Sequence, residues 1–256
     1  MTERIESPAL ADPAAFYAAG YGLRGEEAEL MGRWRVLGAR SKAAHVATLC
    51  ERAGLVPATI VELGCGDGAH LAALADRGIG DTFDGFELSP EAAAMARGRG
   101  IPGARRVEAF DGAHVPAADG AYELAVLSHV VEHVPEALPL LREAARLARH
   151  VVVEVPLEAN RSASRPAKRA EAARIGHVHA FDRADVRALC GAAGLTIEAE
   201  LTDPLPYAHH AFFARDASAR ARAAVKTAVR RAAFRASPRR AERLFTVHYA
   251  CLARPR

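Results

Sequence analysis

No stretch of the 256 residues reaches the ~18 consecutive apolar positions of a membrane-spanning helix, although half of the chain is hydrophobic. The opening MTERIESPALADP has acidic residues and prolines where a secretory leader needs a basic and then an apolar run, so a cytoplasmic protein is expected. Cysteine is scarce: the four, at positions 50, 65, 190 and 251, form no C-x-x-C pair and no zinc-like spacing. Reduced thiols and the absence of a metal centre are the expectation. Lysine is scarcer still, limited to Lys42, Lys168 and Lys226, so nearly all basic charge is arginine. The net charge of +3 hides an asymmetry. Residues 215–256 hold twelve Arg or Lys against two acidic residues, and the rest of the chain is net acidic. Such a tail could meet nucleic acid, anionic lipid or an acidic substrate, or be a solvated cover of the sheet edge; no RNA-binding signature accompanies it, and a nucleic-acid partner is not expected.

What the chain does have is the run TIVELGCGDGAHLAAL at 59–74. An apolar β-branched strand stops at an acidic residue and breaks into alternating glycines before a helical pattern resumes. Gly64, Gly66 and Gly68 permit positive φ and leave no Cβ between loop and ligand, so whatever binds there lies on bare main chain. Downstream the pattern alternates. Strands are predicted at 82–88, 104–110, 122–128 and 150–156, with helices at 68–77, from Ser89-Pro90 onward, and at 136–149. Upstream, 26–53 reads as a helix broken near Gly32 or Gly38. Strands alternating with helices mean βαβ units and a parallel sheet, whose middle strands should include the continuous runs AVL and VVV. Beyond Pro156 the alternation lapses into a basic stretch at 160–174 and a helix capped by Asp182. Strand-like segments then follow at 195–202, 207–214 and 245–253, around a basic helical stretch at 217–243. The late strands suggest an antiparallel hairpin at the sheet edge.

In an open parallel sheet the ligand lies beyond the carboxyl ends of the strands. Those ends are Glu62 to Gly68, Glu87-Leu88, Asp111-Gly112, Ser128-His129 and Pro156 to Glu158. Glu87 stands 19 residues past Gly68, the interval at which a carboxylate takes both hydroxyls of a ribose, and Asp111 is placed to accept from an exocyclic amine. Together they describe an adenosine site. The spacing Gly64-x-Gly66-x-x-Ala69 also fits a loose dinucleotide fingerprint, so an NAD(P)-dependent oxidoreductase is the alternative, and a non-catalytic cofactor-binding protein a third reading. Glu62 and Asp67 flank the position a pyrophosphate would take; like charge disfavours it there, whereas a sulfonium or α-amino group is favoured.

The segments VELGCGDG at 61–68, GFELSP at 85–90, EAFDG at 108–112 and AYELAVLSHVVEHV at 121–134, in that order, resemble the class I S-adenosylmethionine-dependent methyltransferases, in the broad type 11 group that includes ubiquinone-pathway enzymes. The resemblance covers about 56–201. It implies an α/β, Rossmann-like, seven-stranded, mostly parallel sheet with an antiparallel last strand and helices on both faces. It implies S-adenosylmethionine as cofactor, with Glu62, Gly64, Cys65, Gly66, Asp67 and Gly68 at the methionine part, Glu87 at the ribose, Leu88 on an adenine face, and Asp111 with Gly112 at the adenine edge. Ser128 and His129 would lie near the reactive methyl. The family commonly reads Asp-Ala where this chain has Asp111-Gly112. On this reading residues 1–55 form a helical cap and 56–256 the methyltransferase domain, with a substrate-side insertion at 157–182 and a basic helical insertion at 215–244. The expected reaction is methyl transfer to an O or N atom of a small-molecule acceptor, with His129, then His177 and His179, as candidate bases.

His129-Val130-Val131-Glu132-His133 is a literal H-x-x-E-H motif of inverted zinc peptidases. That chemistry needs the motif within a helix. Here a strand runs to Ser128 and Pro135 restricts the residue before it, leaving barely one turn, so the peptidase reading is set aside and His133 is expected to pack. Tyr207, His209, His210 and Phe212 are read as alternating on a late strand, one set facing the acceptor, and Trp34 as a packing residue.

Overall fold

The computed structural model describes residues 3–256. A two-residue strand β1 (Glu3–Arg4) precedes helices α1 (Pro13–Tyr21) and α2 (Gly25–Ala53). Asp12 caps α1, its side chain accepting the Ala15 N–H, and Pro13 takes the first helical turn, where a missing N–H costs nothing. The expected break in the long helix does not occur. A glycine in a helix interior costs about 1 kcal/mol, but Ala39, Ala43, Val46, Leu49 and Cys50 bury one face of α2 against the sheet, and this exceeds the penalty at Gly32 and Gly38. Gly54, in the left-handed region at φ 65°, ends it.

The alternating portion follows as β2 (Thr59–Leu63), α3 (Ala69–Asp76), β3 (Thr82–Glu87), α4 (Pro90–Gly98), β4 (Ala104–Ala109), β5 (Tyr122–Ser128), α5 (Ala137–Leu147) and β6 (Ala148–Pro156). After α6 (Pro166–Arg174), the short β7 (His179–Ala180) and α7 (Arg183–Ala192) come β8 (Leu195–Asp203), α8 (Tyr207–Ala211), α9 (Ala217–Ala236), α10 (Pro238–Leu244) and β9 (His248–Pro255). The main sheet has seven strands in the order β4-β3-β2-β5-β6-β9-β8. Pairs among β2 to β6 are parallel, and β9 runs antiparallel to both its neighbours. As expected, the last strand is the antiparallel one: β9 pairs antiparallel with β8 at the sheet edge and lies between β8 and β6. β1 and β7 form a separate antiparallel pair.

Val151, Val152 and Val153 of β6 and Ala125, Val126 and Leu127 of β5 are all fully buried. Each face of the sheet has its own core. Leu140, Leu141, Ala144 and Leu147 of α5 cover one face with Phe181, Val186 and Cys190, while α2 and α3 cover the other. The segment 207–214 is helical and turn-like rather than a strand. Pro204 and Pro206 lack the N–H groups that a ladder needs, β8 and β9 pair with each other without it, and Trp34 receives His209, Phe212 and Phe213 at ring distances of 5.6, 5.1 and 5.3 Å. The basic stretch at 217–243 is two helices, parted where Ser237 caps α10 at Pro238. All four cysteines are buried and free, with Cys190 and Cys251 in sulfur contact at 4.0 Å.

Candidate active site

Strand order reverses between β2 and β5, and the loops leaving these two strands open a crevice at their carboxyl ends. Gly64, Gly66 and Gly68 turn the chain there at φ 77°, 54° and 75°. A Cβ on Gly64 would stand 2.6 Å from Val130 Cγ2, and one on Gly66 the same distance from the Tyr21 hydroxyl. Bare backbone is thus a steric requirement of the site as well as a conformational one.

Two cavities meet over this loop. One, of about 440 Å³, is lined by Tyr17, Tyr21, Gly64, Glu87, Leu88, Phe110, Asp111, Gly112 and His129, among others. Glu87 is buried; its Oε2 accepts the Gly66 N–H at 2.7 Å and its Oε1 the Ser89 N–H at 3.1 Å. Burial raises its carboxyl pKa, against the opposing backbone donors. The same side chain that lines this cavity therefore also fixes the glycine loop. Asp111 is exposed, and its Oδ1 accepts the N–H groups of His114 and Ala113 at 3.0 and 2.8 Å, which hold its carboxyl below the usual range. Leu88 and Gly112 line the same cavity.

Glu62 ends β2 beneath the loop. Its Oε1 is 2.6 Å from His70 Nδ1, and its Oε2 is buried without a partner among the described residues. A buried carboxylate oxygen left unbonded is costly, and a cationic ammonium is the group that would satisfy it. Cys65 is buried under the loop, where burial raises its thiol pKa well above the usual value. Asp67 has a different setting from that expected. Arg35 and Arg99 pair with its Oδ2 at 2.8 and 2.6 Å, and its Oδ1 accepts the Ala69 N–H, so its charge is spent on holding the loop against α2 and α4. Of the two loop carboxylates, Glu62 is the one with an unbonded oxygen among the described residues.

The second cavity, about 660 Å³, is lined by Gly64, Cys65, Ser128, His129, Glu158 and His177, and by Trp34, His209, His210 and His248 on its far side. His129 lines both cavities and has the left-handed φ of 60°, unusual for a non-glycine residue. Its Nε2 lies 3.3 Å from His248 Nδ1 and 3.5 Å from Glu154 Oε1. Glu154 is fully buried and also receives the Ser128 hydroxyl at 3.2 Å. Burial would raise its pKa, but hydrogen bonds with His129, His248 and His45 hold it well below the ordinary carboxylate range. Ser128 is thereby turned toward Glu154. His179 lines neither cavity; its Nε2 is 3.1 Å from the carbonyl oxygens of Val134 and Pro135, a structural placement. His209 and His210 sit on α8, so the expected strand alternation does not apply to them.

His45 bridges Glu154 and Asp203 through its two ring nitrogens at 3.1 and 3.2 Å. Burial alone would lower its pKa; hydrogen bonds to Asp203 and Glu154 outweigh that and raise it to about 9. A histidine raised above its unfolded value near 6.5 contributes stability that is complete below that pH and is lost as pH rises through 9. The wild-type protein is expected to lose up to about 3 kcal/mol between pH 6.5 and 9.5 from this group. In urea unfolding at both pH values, His45→Gln should flatten that slope; an equal slope would remove His45 as its source.

Tyr17 and Tyr21 of α1 were not identified from the sequence. Both line the smaller cavity, and burial, followed by nearby carboxylates, raises both phenol pKa values. Their i, i+4 spacing after the Asp12-Pro13 helix start is the signal that could have found them.

The family model described as "Methyltransferase domain" (Methyltransf_23) matches residues 38–200, a span that holds every motif of the resemblance without singling out the ubiquinone-pathway group. No curated protein matches the chain. Among solved structures, the geranyl diphosphate C-methyltransferase of Streptomyces coelicolor A3(2), in complex with Mg2+, geranyl diphosphate and S-adenosyl-L-homocysteine, aligns over 98% of this chain and 99% of its own at 15% identity and a TM-score of 0.63. A geranyl diphosphate methyltransferase in complex with geranyl diphosphate and sinefungin aligns over 83% of this chain and 78% of its own at 15% identity and 0.59. Magnesium protoporphyrin IX methyltransferase of Synechocystis PCC 6803, with bound S-adenosylhomocysteine, aligns over 97% of each chain at 14% identity and 0.55. These likenesses establish a shared fold, and the matched family, covering more than half of the chain, establishes membership: the protein belongs to the methyltransferase-domain family and is an S-adenosylmethionine-dependent methyltransferase.

Proposed function

We propose that the protein methylates an O or N atom of a small anionic acceptor. One observation carries this reading: all three lysines of the chain, Lys42, Lys168 and Lys226, line the larger cavity, together with Arg165 and Arg230. In a chain that otherwise uses arginine for positive charge, this is a concentration of flexible ammonium groups at one place. Among the described residues Lys226 has no ion-pair partner, and desolvation, then Arg230 and Lys168, lower its pKa. Mutual repulsion of this kind is relieved by an anion. The two geranyl diphosphate enzymes that share the fold act on a diphosphate, which is compatible with an acceptor bearing phosphate or carboxylate here.

When bound, S-adenosylmethionine supplies an electrophilic methyl group on a cationic sulfur. The residues to hold it are Glu87 for the ribose, Leu88, Asp111 and Gly112 for the adenine, and Glu62 with the glycine loop for the methionine ammonium and carboxylate. The protein's main contribution is to fix the acceptor atom in line with that methyl and to exclude water. For a hydroxyl acceptor, His129 is the base. It lies where the two cavities join, and Glu132 and Glu154 on either side stabilise the imidazolium formed on proton uptake. His177 is the second candidate, since it lines the acceptor cavity with Nδ1 held at 2.6 Å by Glu158.

Labelled methyl transfer to paired phosphorylated and neutral small molecules tests the acceptor class; transfer confined to neutral members overturns it. His129→Gln should lower turnover on a hydroxyl acceptor by about 10²- to 10⁴-fold with unchanged S-adenosylhomocysteine affinity. Unaltered turnover would remove His129 as the base.

A further inference from the structure

We propose that Glu132, His133 and His177 bind a divalent transition-metal ion at the junction of the two cavities. One ligand atom from each lies within 4.8 Å of the other two. These residues come from different parts of the chain, the turn after β5 and the segment leading into β7. They are brought together because the N–H groups of Val178 and His179 both donate to the Glu132 carbonyl, at 2.8 and 3.2 Å.

A second, independent observation is the state of Glu132. It is fully buried, and neither carboxylate oxygen has a hydrogen-bond partner among the described residues. His129 Nδ1 stands 3.2 Å from Oε1 but outside hydrogen-bonding alignment. An ionised carboxylate in such a place costs several kcal/mol unless a cation compensates it. Protonated imidazoles could do so only while repelling one another, since His129 stands 3.2 Å from Glu132 and the His133 and His177 rings beside it are 4.7 Å apart. One divalent ion held by neutral imidazoles removes both difficulties.

The outer nitrogens agree. His133 Nδ1 is 3.0 Å from the Tyr17 hydroxyl and His177 Nδ1 is 2.6 Å from Glu158 Oε2, so in each ring one nitrogen is held by a neighbouring side chain. Metal-bound histidines characteristically have the second nitrogen held in this way. Two imidazoles and one carboxylate form the ligand set of catalytic zinc sites, with a position left open, and imidazole favours Zn2+ or Co2+ over Mn2+ or Mg2+. His133 borders the smaller cavity, and His177 with Glu158 borders the acceptor cavity, so the open position is available to an acceptor oxygen. The sequence motif H-x-x-E-H thus contributes two ligands, Glu132 and His133, in a non-helical turn and takes the third from His177.

The test needs no acceptor and so stands or falls apart from the proposed reaction. Chelator-stripped, tag-free protein is dialysed against Zn2+, Co2+, Mn2+ or Mg2+, passed through gel filtration, and its metal content counted. One equivalent of Zn2+ or Co2+ is expected, with a visible absorption band for the Co2+ form. The isosteric Glu132→Gln and His177→Ala should each weaken retention by 100-fold or more. Glu158→Gln, which touches only the outer nitrogen of His177, should weaken it about 10- to 100-fold. Circular dichroism and S-adenosylhomocysteine affinity report whether each variant is folded, and if Glu132→Gln and His177→Ala are not, Glu158→Gln decides. Substoichiometric metal on the wild type, or retention unchanged in the folded variants, overturns the site.

Discussion

Replacing Glu87 by Ala is expected to weaken S-adenosylhomocysteine binding by about 2–4 kcal/mol, or roughly 30- to 1000-fold, by titration calorimetry. Two losses combine. The ribose hydroxyls lose a charged acceptor, and the Gly66 N–H loses its 2.7 Å bond, which releases the turn that keeps the loop clear of the ligand. Glu87→Gln separates them. The amide oxygen can still accept from Gly66 while the charge is gone, so its affinity should fall between those of wild type and the Ala variant. Wild-type affinity in Glu87→Ala would mean that the ribose is held elsewhere.

Reversing charge at Lys226 should be felt almost entirely in acceptor binding. Lys226→Glu changes the cavity by two charges beside Lys168 and Arg230, and each charge within a few ångströms of an anion at a partly hydrated site contributes about 1–2 kcal/mol. The KM of an anionic acceptor should rise about 30- to 1000-fold at low salt, with kcat within a few-fold, and inhibition by inorganic pyrophosphate should weaken in parallel. S-Adenosylhomocysteine affinity should not move. An unchanged KM would locate the anionic group outside this cluster.

The cavity at the glycine loop was legible because its signals are local. The strand, the alternating glycines, Glu87 and Asp111 lie in successive βαβ units, and each residue lines the cavity where its own strand ends. Asp67 shows the limit of that reading: the pattern gives its position, but Arg35 and Arg99, each 32 residues distant, decide what its charge does. The acceptor half is assembled from further away. His45 meets Glu154 across 109 residues, and Tyr17 meets His133 across 116. No periodicity encodes such pairs. The segment at 207–214 misled for a related reason, since its alternating pattern fits a strand as well as a helical turn packed on Trp34, and only the closure of β8 on β9 excludes the strand.

The interior position of β9 orders the events of folding. Strand β8 stays unpaired at its sheet-facing edge until a partner about 45 residues later in the chain has been made, whereas β2 to β5 can associate through short crossovers. Lys226 and Arg230 lie within that intervening chain. In a nascent protein the residues that line the smaller cavity, all before position 141, are therefore made well before Lys226 and Arg230 of the larger one. A long-lived partly folded form should bind the cofactor with an open β6 edge, exposed to pairing with other chains.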